Sequence, residues 1–114
     1  MHELGVTRKL IELIVRECKK TEIKSPKQVV LELGVLTTYT EESLRFYFDL
    51  MKKEESILRV TKLVVHKVPI HYSCKKCGKE SIVRKICHFS CSGCGSNEIN
   101  IIAGRELLLK SIEE

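Results

Sequence analysis

Tryptophan is absent from this 114-residue chain, and three Phe and three Tyr are all the other aromatic residues it has. So sparse a supply leaves few platforms on which single-stranded nucleic acid can stack. No apolar run approaches the ~20 residues a membrane-spanning helix requires. The opening Met-His-Glu-Leu-Gly lacks a basic stretch followed by an apolar core, so no secretory signal is expected. Repeats and low-complexity tracts are missing too, apart from two short cysteine pairs. What remains is 43% apolar and 31% charged, with 20 Lys and Arg against 15 Asp and Glu and a formal net charge of +5. That balance is neither disordered nor membrane-embedded. The length suits one domain, or one small core carrying a metal-stapled appendage.

Apolar positions at Val6, Leu10, Leu13, Ile14 and Cys18 recur at helical spacing, predicting an amphipathic helix over residues 3–19. Pro26 resists helix continuation, and from Lys27 to Leu36 the alternation of Val29, Leu31, Leu33 and Val35 with Val30, Glu32, Gly34 and Leu36 predicts a buried strand. Thr38-Tyr39-Thr40-Glu41 has capping-box spacing. A second helix is expected from about Glu41 to Lys53, burying Leu44, Tyr47, Phe48 and Met51. Residues 57–67 predict a second strand, ended by Pro69. After Asn97, Ile99, Ile101 and Ile102 predict a strand, Ala103-Gly104-Arg105 a turn, and Leu107, Leu108, Leu109 and Ile112 a last strand that returns to the earlier two. The expected fold class is α+β: two helices packed on a small mixed or antiparallel sheet, with residues 69–97 inserted as a zinc-ribbon-like lobe.

Six cysteines in a reducing cytoplasm, the expected compartment, point to metal ligands before disulfides. Cys74-x2-Cys77 and Cys91-x2-Cys94 are matched pairs, each followed by glycine. Two intervening residues let both thiolates reach one ion from a tight turn, and Zn²⁺ takes four such sulfurs tetrahedrally. Four cysteines leave no open coordination position, so the expected zinc is structural, adding roughly 10 kcal/mol or more to a segment short of apolar residues. Cys18 falls on the apolar stripe of the first helix and reads as core. Cys87 reads as core or surface filler.

His2 can bring its imidazole and amide nitrogen to a metal held by the terminal amine of Met1. The Glu3 amide can complete a planar nitrogen set, the geometry Ni²⁺ and Cu²⁺ favour. Met1-His2-Glu3 ahead of a helix–strand–helix–strand module, the cysteines at 74, 77, 91 and 94, and Gly104 with Glu106-Leu107 together resemble the HypA family of nickel metallochaperones, over essentially the whole chain. The resemblance implies a nickel-binding domain of residues 1–68 plus 98–114 carrying a zinc-binding domain of residues 69–97. It implies transferable Ni(II) held by the Met1 amine, the backbone of His2 and Glu3 and the His2 side chain, beside structural Zn(II). It further implies hand-over with a GTPase partner of the HypB type to the large subunit of nickel–iron hydrogenase, in some organisms to urease, and no catalytic activity.

His66, His71 and His88 read as surface or hinge histidines, and each is also a candidate pH sensor or extra nickel ligand. Between residues 69 and 97, Lys75, Lys76, Lys79, Arg84 and Lys85 stand against Glu80, a formal +4 that four-thiolate zinc lowers to +2. A basic zinc ribbon gripping phosphate backbones is therefore the alternative function, though the basic residues elsewhere are spread over helices and strands. The residues leave open whether the protein is a monomer or a homodimer.

Overall fold

The computed structural model describes residues 2–85 and 89–114, with side chains from residue 4 onward. Its order is α1 (His2–Lys20), β1 (Gln28–Gly34), α2 (Glu41–Met51), β2 (Lys62–Val68), β3 (Ile70–Cys74), β4 (Glu80–Val83), β5 (Ile99–Ala103) and β6 (Leu107–Glu113). A 3₁₀ turn, Lys52–Glu54, follows α2 directly, and a second, Ser56–Leu58, occupies the start of the stretch expected as strand.

The sheet order is β2-β1-β6. Lys62 N–H donates to Lys27 O and Val35 N–H to Val68 O, so β1 and β2 run parallel. Lys27 N–H donates to Glu113 O and Gly34 N–H to Glu106 O, so β1 and β6 run antiparallel. The mixed sheet and the returning last strand are as the apolar pattern predicts. A second sheet, β4-β3-β5, is antiparallel throughout. Its strands β3 and β4 were hidden in a segment with few apolar residues.

Two compact units follow from the chain's contacts: residues 1–31, 38–66 and 108–114, and residues 32–37 and 67–107. The first is an apolar core. Ile14 and Cys18 of α1, Leu44 and Phe48 of α2, Val29 and Leu31 of β1, and Leu58 are essentially inaccessible. Polar stitches surround it. Thr61 Oγ1 donates to Pro26 O at 2.7 Å, Arg45 donates to Leu63 O at 2.6 Å, and Lys52 Nζ donates to Thr61 O at 3.2 Å.

The cap of α2 is Thr40, in extended backbone, whose hydroxyl accepts from Ser43 N–H at 3.1 Å. Thr38 lies two residues too early to reach the free amides of the first turn. Tyr47 is half-buried and not part of the core.

The second unit has a smaller interior, with Ile70, Tyr72, Cys74 and Cys91 buried. Gly34 and Gly104 cross so closely that a Cβ on Gly34 would collide with Gly104 O, and one on Gly104 would lie 2.9 Å from Pro69 O. Gly104 also has φ +106°, which side chains rarely adopt.

Candidate metal centre

Cys74 ends β3 and Cys77 follows in a tight turn, while Cys91 and Cys94 form a second turn of the same shape before β5. In the first, Gly78 N–H donates to Cys74 O at 2.9 Å; in the second, Gly95 N–H donates to Cys91 O at 2.9 Å. Their φ values, +78° and +77°, explain why glycine follows each pair. Each turn then aims N–H groups at its leading sulfur. Cys77 N–H lies 3.4 Å from Cys74 Sγ, and Gly93 and Cys94 N–H lie 3.3 and 3.4 Å from Cys91 Sγ.

The turns face each other. Cys74 and Cys94 sulfurs are 3.5 Å apart, Cys77 and Cys91 3.4 Å, and all four lie within 4.8 Å of one another. A tetrahedron with metal–sulfur bonds of ~2.3 Å has edges of about 3.8 Å, so the four sulfurs fit one tetrahedral ion such as zinc.

The hydrogen bonds also set which sulfur ionises first. The Cys94 N–H, then that of Gly93, draw the Cys91 thiol down to about 6. The Cys77 N–H does the same to Cys74, lowering it from the ordinary thiol value. At Cys77 the Lys79 N–H favours the thiolate, but the Cys91 sulfur, burial and the other two sulfurs outweigh it and raise the thiol to about 11. A divalent cation resolves this crowding, because its charge makes four adjacent thiolates tolerable.

Three residues brace the centre without touching it as ligands. Tyr72 of β3 donates its hydroxyl to Ser90 O at 3.1 Å and meets Phe89 edge-to-face at 5.5 Å, holding the approach to Cys91. The Lys79 side chain lies over Gly93, where a Cβ would come within 3.1 Å of its Cδ. The alternation Ile70, Tyr72, Cys74 is the sequence signal that these share the inner face of a strand.

Other candidates fall elsewhere. Cys18 is buried, and burial pushes its thiol up, with Glu17 adding to the rise. His66 is exposed, and His71 pairs with Glu80 across the β3–β4 ladder, Nε2 to Oε1 at 2.6 Å. Of the tripeptide expected to hold nickel, the backbone of His2 and Glu3 forms the start of α1. Met1 and the side chains of His2 and Glu3 lie outside the described residues, as do Cys87 and His88. No described helix is long and apolar enough to cross a membrane.

Comparison with known proteins gives one family, "Hydrogenase/urease nickel incorporation, metallochaperone, hypA", matching residues 1–114. A hydrogenase maturation factor HypA of Desulfatibacillum aliphaticivorans is 36% identical over 99% of this chain and 86% of its own. One from Nostoc punctiforme is 30% identical over 99% and 95%. Among solved structures, the Ni metallochaperone HypA from Helicobacter pylori superposes with a TM-score of 0.71 at 22% identity, over 97% of this chain and 95% of that one.

Proposed function

The chain belongs to the HypA family, and on that premise we propose that it binds Ni(II) at its N-terminus and delivers it for maturation of nickel–iron hydrogenase. The observation that carries the reading is the family match along residues 1–114 of a chain that reads Met1-His2-Glu3. In this reading the Met1 amine, the amide nitrogens of His2 and Glu3 and the His2 imidazole surround the ion. That α1 begins at His2 supports it, since the first four N–H groups of an α-helix have no intrahelical acceptor and are available for other bonds. Nickel is cargo here, not a resident cofactor. Ligands supplied by contiguous residues at a chain end can be exchanged one at a time for those of a recipient site, so tight capture and release are compatible.

The four cysteines hold structural Zn(II), which cross-links the two turns. Residues 1–68 plus 98–114 form the nickel-binding part and residues 69–97 the zinc-binding part. The protein works in the cytoplasm without catalytic activity of its own. Its partners are a HypB-type GTPase and the hydrogenase large subunit, with urease a further recipient. The alternative, a basic module on phosphate backbones, draws on exposed Lys75, Lys76 and Lys79. It would show as nucleic-acid binding that falls steeply with salt.

The test is a nickel titration with metal analysis of the native chain, a His2→Ala variant and an N-terminally extended form. Both altered chains are expected to lose nickel and keep one zinc. Equal nickel uptake by all three would remove the proposal. Affinity should also fall on acidification, because the amine and the imidazole must be unprotonated to bind.

A further inference from the structure

The four sulfurs of the candidate metal centre are not equivalent. Cys74 and Cys91, the leading cysteine of each turn, are each 4% exposed. Cys77 and Cys94, the trailing ones, are exposed. The cage therefore has an inner edge largely hidden from dissolved reagents and an outer edge open to them. Access, together with thiolate character, decides which cysteines are oxidised. Read from spacing alone, Cys-x2-Cys points to a disulfide within each turn, as in dithiol oxidoreductases. The tertiary arrangement points elsewhere. All four sulfurs lie within 4.8 Å of one another, but the two hydrogen bonds between sulfurs both run from one turn to the other. Cys77 meets Cys91 at 3.4 Å, and Cys94 meets Cys74 at 3.5 Å. Each outer sulfur thus has an inner sulfur of the opposite turn against it. Closing either contact to a disulfide length of about 2.05 Å takes an approach of roughly 1.4 Å.

We propose that the outer edge is an oxidation site for peroxides, and that the disulfides formed there cross between the turns, Cys77 with Cys91 and Cys94 with Cys74. The inference rests on the reading that these four sulfurs hold zinc. The thiolate of Cys77 or Cys94 attacks one oxygen of hydrogen peroxide, the O–O bond breaks, and hydroxide leaves a sulfenic acid behind. The inner thiolate opposite attacks the sulfenic sulfur, the S–O bond breaks, and a second hydroxide leaves. Both hydroxides take up protons, so one peroxide becomes two waters while two cysteines give up two electrons. Each such disulfide removes two of the four ligands, too few remain for tetrahedral zinc, and the cation is released. The turns stay joined all the same, by a covalent bond in place of the ion. A disulfide within one turn would also release the cation, yet leave the two turns unconnected. A thiol reductant reverses the exchange and restores the cage.

The test is hydrogen peroxide added to the zinc-loaded full chain carrying Cys87→Ser, with the fully buried Cys18 as an internal control. A pulse of dimedone, which caps sulfenic acids, should mark Cys77 or Cys94 at least about tenfold more than Cys74, Cys91 and Cys18. Trypsin cuts after Lys75 and Lys76 and so separates Cys74 from Cys77, and fragmentation of Cys91-Ser92-Gly93-Cys94 assigns the partners. Both links are expected to cross between the turns. Zinc read with a chromogenic chelator should appear together with the disulfide and return to the chain on adding dithiothreitol. Amide exchange at residues 74–78 and 91–95 should stay slower after oxidation than after chelation, because the covalent bond still constrains the turns. A disulfide between Cys74 and Cys77 or between Cys91 and Cys94, a first label on Cys74 or Cys91, or zinc lost with no disulfide formed would overturn the proposal. So would exchange as fast as in the chelated chain. Elemental analysis before oxidation tests the zinc reading by itself, and the disulfide partners are read equally well on a metal-free chain, so the two ideas fail separately.

Discussion

The two units hold themselves together by different means. In the first, two helices and the central strand bury Ile14, Leu31, Leu44 and Phe48 almost completely, and apolar burial is the main source of stability. In the second, Cys77, Cys94 and every residue from Lys75 to Glu80 are exposed. Its order near the cysteines depends on N–H groups aimed at sulfur and on whatever cation joins the sulfurs. One unit is stabilised by what it hides from water; the other gathers four sulfurs that a cation can cross-link.

Metal withdrawal should break the comparison most sharply. Chelation, or Cys74→Ala, removes a contribution of roughly 10 kcal/mol or more from residues 69–97. Amide exchange there should accelerate while the helical circular dichroism of α1 and α2 persists. A single collapse of the whole chain would show that the units do not stand apart. Acid should act in the same direction. The N–H groups of Cys94 and Gly93 draw the Cys91 thiol down to about 6, below the ordinary thiol value, so in the metal-free chain the stability this thiolate adds is complete only above the unfolded value and is lost as pH falls through about 6. Amide exchange around the two turns of the chelated chain, measured across that window, should quicken towards its lower end.

The second test attacks the other unit. Phe48→Ala empties a fully buried site and should cost about 3–5 kcal/mol. The melting temperature of the helices should fall while the chain still retains its metal, checked by elemental analysis. Smallest is Thr40→Ala, which removes the hydroxyl accepting from Ser43 N–H and should cost about 1 kcal/mol. Denaturant unfolding followed at 222 nm would detect it, and an unchanged midpoint would mean that α2 is held by packing alone.

Much of this was legible in local spacing. The 3.6-residue period placed α1 and the buried face of α2, and Cys-x2-Cys followed by glycine foretold two turns with positive φ. Boundaries were less legible. Residues 57–61 are β-branched enough to read as strand, yet Ser56–Leu58 forms a 3₁₀ turn because Leu58 is drawn into the core and Thr61 is tied to Pro26. The strands β3 and β4 were missed because they are short: Ile70, Tyr72 and Cys74 alternate over only five residues, and the four-residue β4 opens on the polar Glu80 and Ser81.

The sequence by itself determined the chemistry: which four sulfurs are available, which turns present them, which helix faces are apolar, and which family the chain belongs to. The tertiary structure decided what those local pieces meet. It brought Cys74 and Cys77 against Cys91 and Cys94, set Tyr72 to hold Ser90, and made β1 the centre of a mixed sheet. The physical reason is that turns and helices are specified by hydrogen bonds within a few residues. Strand partners and metal cages are chosen by contacts between residues far apart in the chain, which compete only once the whole chain is folded.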